Sequence, residues 1–233
     1  MDAADTATSV PEYAVAPSRK RRDLLELSVG YALILAVIWT PRPWQRLLYY
    51  TAAAFLAAVL WLAFEGWPAM GLRTANLSRS IWIAGVALAM AAVAVFVAQR
   101  LHTLQPTAGL IPFLQRYWGY ALWAFAQQVL LQDFFLPRLL RLMRGSGTAA
   151  LTAAAIFSLA HLPSPILTVV TLVWGYAACL LFLRYRNLYP LALAHAILGI
   201  AIAVTVPGPV VRNMRVGLGY LTYATHRGPH SSH

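Results

Sequence analysis

The chain has 233 residues, of which 60% are hydrophobic and 11% are charged, and its mean hydropathy is +0.63. Soluble domains carry about a quarter charged residues, so this composition excludes an ordinary soluble domain and predicts a helical integral membrane protein. The net charge is +11 at pH 7, but the basic residues lie mainly between apolar runs. That distribution is typical of membrane topology, and no nucleic-acid partner is expected.

The order of polar and apolar segments predicts an all-α polytopic bundle. Residues 1–23, which end near the basic cluster Arg19-Lys20-Arg21-Arg22, are predicted to be a disordered cytoplasmic tail. A membrane domain is predicted over 24–206 and a polar C-terminal tail over 207–233. The basic cluster favours a cytoplasmic N-terminus in a bacterial-type cytoplasmic membrane. About seven transmembrane helices are predicted, within a range of six to eight because two runs are short: 24–40, 47–64, 81–98, 117–136, 148–162, 166–183 and 189–206.

The fourth apolar run carries four polar side chains: Gln127, Gln128, Gln132 and Asp133. Polar groups are costly in hydrocarbon, so an intramembrane cluster is a functional-site hypothesis. Gln128 and Gln132 lie about 40° apart on an α-helix and share a face, which Gln127 flanks. Asp133 lies about 140° from Gln128 and points elsewhere unless the helix deforms. Pro137 favours such a deformation because it removes a hydrogen bond to the carbonyl of residue 133.

Two histidines occur in later apolar runs, His161 in AAAIFSLAHLPSP and His195 in NLYPLALAHAILG. A histidine in a membrane helix needs a hydrogen-bond partner, and the facing glutamines are available. We therefore predict one shared polar site. The alternatives are that the glutamines only join helices, and that Asp133 forms a local ion pair with Arg138 or Arg141 or is solvated at the interface.

Three short patterns follow one another within residues 117–205. AFAQQVLLQDFF lies about 30 residues before Phe157-Ser-Leu-Ala-His161, and RYRNLYPLALAHA leads to His195. In this order, the patterns resemble the CPBP family, which comprises the type II CAAX prenyl endopeptidases and bacteriocin-processing relatives. The resemblance implies an intramembrane helical bundle with the motifs Glu-Glu-x-x-x-Arg, Phe-x-x-x-His and His-x-x-x-Asn. Taken without the resemblance, Phe157 is a core residue.

The first and third motifs are altered. Glutamine replaces both glutamates and the arginine, and Gly199 replaces the asparagine. The resemblance implies that the glutamate activates water, while the histidines and asparagine assist and stabilise the oxyanion. Glutamine keeps the shape of glutamate but cannot be a general base. The predicted site is therefore a neutral network, with catalytic candidates Gln127, Gln128, Gln132, His161 and His195 and supporting residues Phe157, Asp133 and Gly199.

The resemblance implies an intramembrane endopeptidase that processes membrane-associated peptides with an altered active site. A histidine, or Asp133 together with His161 or His195, would activate water. The alternative is an inactive relative that binds membrane peptides or lipidated proteins as a scaffold, chaperone or regulator. A small transporter or lipid-handling protein would predict inverted repeats, which the sequence lacks.

The expected partners are membrane lipids and a membrane-bound or lipidated peptide. Asp133, His161 and His195 have the ligand types of a zinc site, but their spacing does not support one. Zinc is therefore left open by ligand type alone, and no other cofactor is predicted.

Overall fold

The computed structural model describes residues 17–105 and 109–223, and these residues form helices without any strand. A π-helical segment, Leu130–Phe135, continues α5 into α6, and a 3-10 turn, Arg212–Met214, follows α10. The α-helices are α1 (Pro17–Trp39), α2 (Trp44–Leu62), α3 (Leu77–Ser80), α4 (Trp82–Arg100), α5 (Leu110–Val129), α6 (Leu136–Leu142), α7 (Ser146–Leu159), α8 (Pro165–Tyr185), α9 (Leu188–Thr205), α10 (Gly208–Val211) and α11 (Gly217–Leu221).

The predicted helical membrane architecture is confirmed. In the part of the chain that the structure describes, four helical units are long and apolar enough to cross a bilayer: α2, the unit α3–α4, α8 and α9. The predicted runs 24–40, 117–136 and 148–162 also lie in helices, but α7 has only 14 residues and α1 begins with charged residues. The count of seven spans therefore stays a prediction.

The predicted N-terminal tail is wrong over residues 17–23, because α1 already begins at Pro17. Proline suits the first helical turn, where its missing N–H is not needed. Asp23 is buried and binds Arg141 of α6, so this end of α1 is held by tertiary contacts. Residues 1–16 lie outside the described residues.

The predicted polar tail is likewise structured at its start. The segment 207–223 contains α10, the 3-10 turn and α11. Val211 is buried, and a Cβ at Gly217 would overlap Ile38 of α1. The segment therefore packs against the bundle, while residues 224–233 lie outside the described part of the chain.

The π-helical segment lies in the centre of the bundle. Leu131, Phe134 and Phe135 are buried, and a Cβ at Gly30 of α1 would lie 2.6 Å from Cζ of Phe134. On the other side, small residues let α7 approach α8 closely, since a Cβ at Gly175 would lie 3.4 Å from Cα of Ala154. This packing brings α5, α7, α8 and α9 around one interior region.

Candidate functional site

The helix that carries the glutamines deforms where the polar residues occur. Gln132 and Asp133 lie in the π-helical segment, and π-helical turns are rare and frequent at functional sites. Pro137 supplies no N–H to the Asp133 carbonyl, which lies 3.5 Å from Nη1 of Arg138. The same guanidinium nitrogen donates to the Phe134 carbonyl at 2.7 Å. The side chain of Arg138 therefore compensates for the interrupted main-chain hydrogen bonding.

Gln128, Gln132 and His195 form a buried hydrogen-bonded chain. Nε2 of Gln132 donates to Oε1 of Gln128 at 3.2 Å, and Nε2 of Gln128 lies 3.1 Å from Nδ1 of His195. Both glutamines are 0% exposed. Because Oε1 of Gln128 accepts from Gln132, its Nε2 is the donor towards His195. Neutral His195 then carries its own proton on Nε2 and is a hydrogen-bond donor at that atom.

His161 has the opposite tautomer. Its Nδ1 lies 2.8 Å from the carbonyl oxygen of Phe157. A carbonyl only accepts, so Nδ1 carries the proton and Nε2 keeps a basic lone pair. The Phe157 ring contacts both histidines, with its centroid 4.9 Å from that of His161 and 5.9 Å from that of His195. The two imidazoles thus flank one aromatic ring, with a base on one side and a donor on the other.

Two of the remaining predicted residues have different surroundings. Gln127 is half-buried, and no side-chain hydrogen bond between the described residues involves it. Gly199 is buried on α9, and a Cβ there would overlap the hydroxyl of Tyr120 on α5. Sequence reasoning missed Tyr120. Its position seven residues before Gln127, about 20° away on the helix, is a signal that could have drawn attention to it.

Asp133 does not join the histidines. Its side chain lines a cavity of about 540 Å³ between α1, the end of α2 and α6. The alternative of an ion pair between Asp133 and Arg138 or Arg141 is wrong, because both arginines pair with carboxylates of α1. Glu26 binds Arg138 at 2.8 Å, and Asp23 binds Arg141 at 2.7 Å.

One oxygen of the Asp133 carboxyl group has no hydrogen-bond partner among the described residues. Its Oδ2 is buried and accepts no hydrogen bond from the described residues. The hydrogen bonds from Arg141 to Asp23 raise the pKa of Arg141 above its ordinary value, so this guanidinium stays charged beside the cavity. The placement of Asp133 gives no support to a water-activating pair of Asp133 with either histidine.

The candidate zinc ligands do not assemble either. Within residues 17–105 and 109–223, no group of three His, Cys, Asp or Glu side chains converges as a metal site. Asp133 faces the cavity beside α1, whereas His161 and His195 flank Phe157. These three residues therefore do not form a donor set for a tetrahedral ion.

Comparison with known proteins places this site within a family match. Residues 109–201 match the family model described as type II CAAX prenyl endopeptidase Rce1-like. The predicted resemblance is confirmed. The Rce1-like region contains the glutamines, both histidines and Gly199, and this region is similar to CAAX prenyl endopeptidases. The apolar helices indicate an integral membrane protein. No curated protein and no solved structure matches the chain.

A single charge placed at Gln128 or Gln132 is expected to lower the stability of the protein, and a pair of opposite charges at these two positions is expected to lower it less than the sum of the single charges. Gln132→Arg places an unpaired cation in a fully buried position, which should cost about 3–5 kcal/mol of unfolding free energy. Gln128→Glu places a carboxylate oxygen where Oε1 of Gln128 now lies, 3.2 Å from Nε2 of Gln132. The double variant should therefore lose less than the sum of the single variants, by about 0.5–3 kcal/mol.

A double-mutant cycle of chemical unfolding in detergent, followed by circular dichroism, measures this coupling. Gln127→Arg is the matched control, because Gln127 is a half-buried neighbour outside the hydrogen-bonded chain. Strictly additive losses for Gln128→Glu and Gln132→Arg would show that the two side chains do not interact.

Proposed function

We propose that this protein is an intramembrane endopeptidase of the CAAX protease-like type, in which His161 replaces the usual glutamate as general base. The observation that carries the proposal is the hydrogen bond from Nδ1 of His161 to the Phe157 carbonyl at 2.8 Å. It fixes the neutral tautomer whose Nε2 accepts a proton. Histidine is the side chain most often used for this task.

The proposed reaction is hydrolysis of a peptide bond. Nε2 of His161 takes a proton from water as the oxygen of that water attacks the carbonyl carbon of the peptide. The carbonyl oxygen becomes negative in the tetrahedral intermediate, and the Nε2–H of His195 is a donor for it. The C–N bond then breaks, and His161 returns the proton to the leaving amine.

The glutamines have a positioning role in this scheme. Gln128 donates to Nδ1 of His195, which keeps the proton of that ring on Nε2. Gln132 in turn fixes the orientation of the Gln128 amide. The hydrogen-bonded chain of Gln132, Gln128 and His195 therefore fixes the Nε2–H donor of His195, and it does not itself supply the base.

The proposed setting is a membrane with the N-terminus in the cytoplasm. The basic cluster at residues 19–22 lies in the first turns of α1, and basic residues are favoured on the cytoplasmic side. We propose a bacterial-type cytoplasmic membrane. The proposed substrates are membrane-bound or lipidated peptides, in keeping with the prenyl endopeptidase family that the Rce1-like region matches.

A second candidate is an inactive relative that holds such peptides as a scaffold, chaperone or regulator. The observation that favours it is the uncharged chain of Gln132, Gln128 and His195, in which both glutamines are fully buried and bonded to each other. A neutral network of this kind positions a peptide without activating water.

Reporter cleavage separates the two candidates. Purified protein in lipid vesicles is incubated with membrane-anchored and prenylated reporter peptides, and the products are identified by mass spectrometry. We expect cleavage by the wild type. Cleavage by Gln128→Glu alone would contradict the histidine-base mechanism and support the inactive relative.

A further inference from the structure

Tyr120 takes up the space of a missing side chain in the Rce1-like region. Gly199 follows His195 by one turn of α9 and is buried. A Cβ at Gly199 would overlap the Tyr120 hydroxyl and would lie 2.5 Å from Cζ of the same ring. Position 199 therefore tolerates only glycine while Tyr120 keeps this rotamer, and the phenol group supplies the polar atom at this point.

The Tyr120 hydroxyl is free to donate. No side-chain hydrogen bond between the described residues involves it. It is also not one of the fully buried side-chain atoms that lack a partner, such as Nε1 of Trp174. A hydroxyl in an apolar bundle needs a partner, because leaving it unpaired costs free energy. An incoming ligand can provide that partner without displacing a bond within the protein.

The Tyr120 hydroxyl lies on the same pair of helices as the hydrogen bond between Gln128 and His195. The pair Tyr120–Gly199 and the pair Gln128–His195 both join α5 to α9. Along α9, Gly199 lies one turn, about 6 Å, from His195. Because the Tyr120 hydroxyl lies where a Cβ of Gly199 would be, it lies about one helical turn along α9 from His195.

We propose that Tyr120 contacts the substrate and donates a hydrogen bond to a peptide carbonyl oxygen beside His195. The proposal deepens the proposed function and rests on it for the cleavage reaction, whereas the contact itself requires only that a peptide binds. The phenol O–H provides the donor that glycine at position 199 cannot.

Turnover gives the first test. Tyr120→Phe removes only the hydroxyl and should lower kcat for the prenylated reporter by about 10²–10³-fold with little change in KM, as the loss of one oxyanion donor does. Tyr189→Phe, an exposed position on α9, is the matched control and should behave as the wild type. Unchanged kcat in Tyr120→Phe would overturn the proposal.

A swap of the two residues tests the location of the donor. Gly199→Asn should be inactive because its side chain collides with Tyr120, and Tyr120→Ala should be slow because the donor is gone. The double variant Tyr120→Ala/Gly199→Asn provides both space and an amide donor, and it should recover at least a tenfold higher kcat than Tyr120→Ala. Thermal unfolding of every variant checks whether the fold is retained.

A measurement without turnover separates this inference from the proposed function. A non-cleavable ketomethylene analogue of the prenylated reporter, labelled with ¹³C at the carbonyl, is bound to each variant and its infrared carbonyl stretch is recorded. The stretch should move to higher frequency in Tyr120→Phe and not in Tyr189→Phe. This shift without reporter cleavage would retain the contact and reject the peptidase function, whereas no shift, or no binding by the wild type, would overturn the contact.

Discussion

His161→Ala is expected to lower kcat for cleavage of the prenylated reporter by about 10²–10⁴-fold, the range that a positioned general base contributes. The reason is the tautomer of His161. Its Nδ1 donates to the Phe157 carbonyl, so removal of the ring removes the lone pair at Nε2 that accepts the proton of water. Initial rates in lipid vesicles, at reporter concentrations above KM, measure the loss.

The matched control for this variant is His102→Ala. His102 is exposed and lies in the turn after α4, so its removal should leave kcat unchanged. Added imidazole should restore part of the activity of His161→Ala, because a small base can occupy the vacated space. Wild-type rates in His161→Ala would assign the base to another residue and contradict the mechanism.

The sequence was sufficient to predict the helices of the bundle. In hydrocarbon every backbone polar group must be bonded within its own segment, so long apolar runs become helices. The sequence was insufficient to predict where the helical bundle begins and ends along the chain. Residues 17–23 are polar and taken alone read as a tail, but Asp23 binds Arg141 from a distant part of the chain. Such pairings depend on tertiary structure that a local pattern does not contain.

The candidate site was predictable to the extent that it depends on helix periodicity. The 100° spacing of residues on an α-helix places Gln128 and Gln132 on one face, and their side chains are hydrogen-bonded. The expected pairing of a histidine with the glutamines holds for His195, whereas His161 bonds the main chain at Phe157 instead. The contact of Tyr120 with Gly199 depends on the register between α5 and α9, which no single helix reveals.

Arg138→Ala is expected to lower the unfolding free energy by about 3 kcal/mol, the low end for breaking a buried ion pair, because Glu26 then keeps only its exposed partner Arg22. The Arg138 side chain is 2% exposed and binds Glu26 at 2.8 Å. It also donates to the Phe134 carbonyl and lies 4.4 Å from the centroid of the Phe134 ring. Chemical unfolding in detergent, followed by circular dichroism, measures the loss.

The same carboxylate offers an internal control, since Glu26 also binds Arg22 at 2.7 Å. The Arg22 side chain is 60% exposed, so Arg22→Ala should cost only about 0–1 kcal/mol. Equal losses in Arg22→Ala and Arg138→Ala would show that burial of the guanidinium is not what matters. Glu26→Leu/Arg138→Leu removes both charges and should be milder than Arg138→Ala. If the double variant still unfolds more easily than the wild type, the difference in unfolding free energy measures the hydrogen bonds from Arg138 to the carbonyls of the π-helical segment, since leucine cannot donate to them.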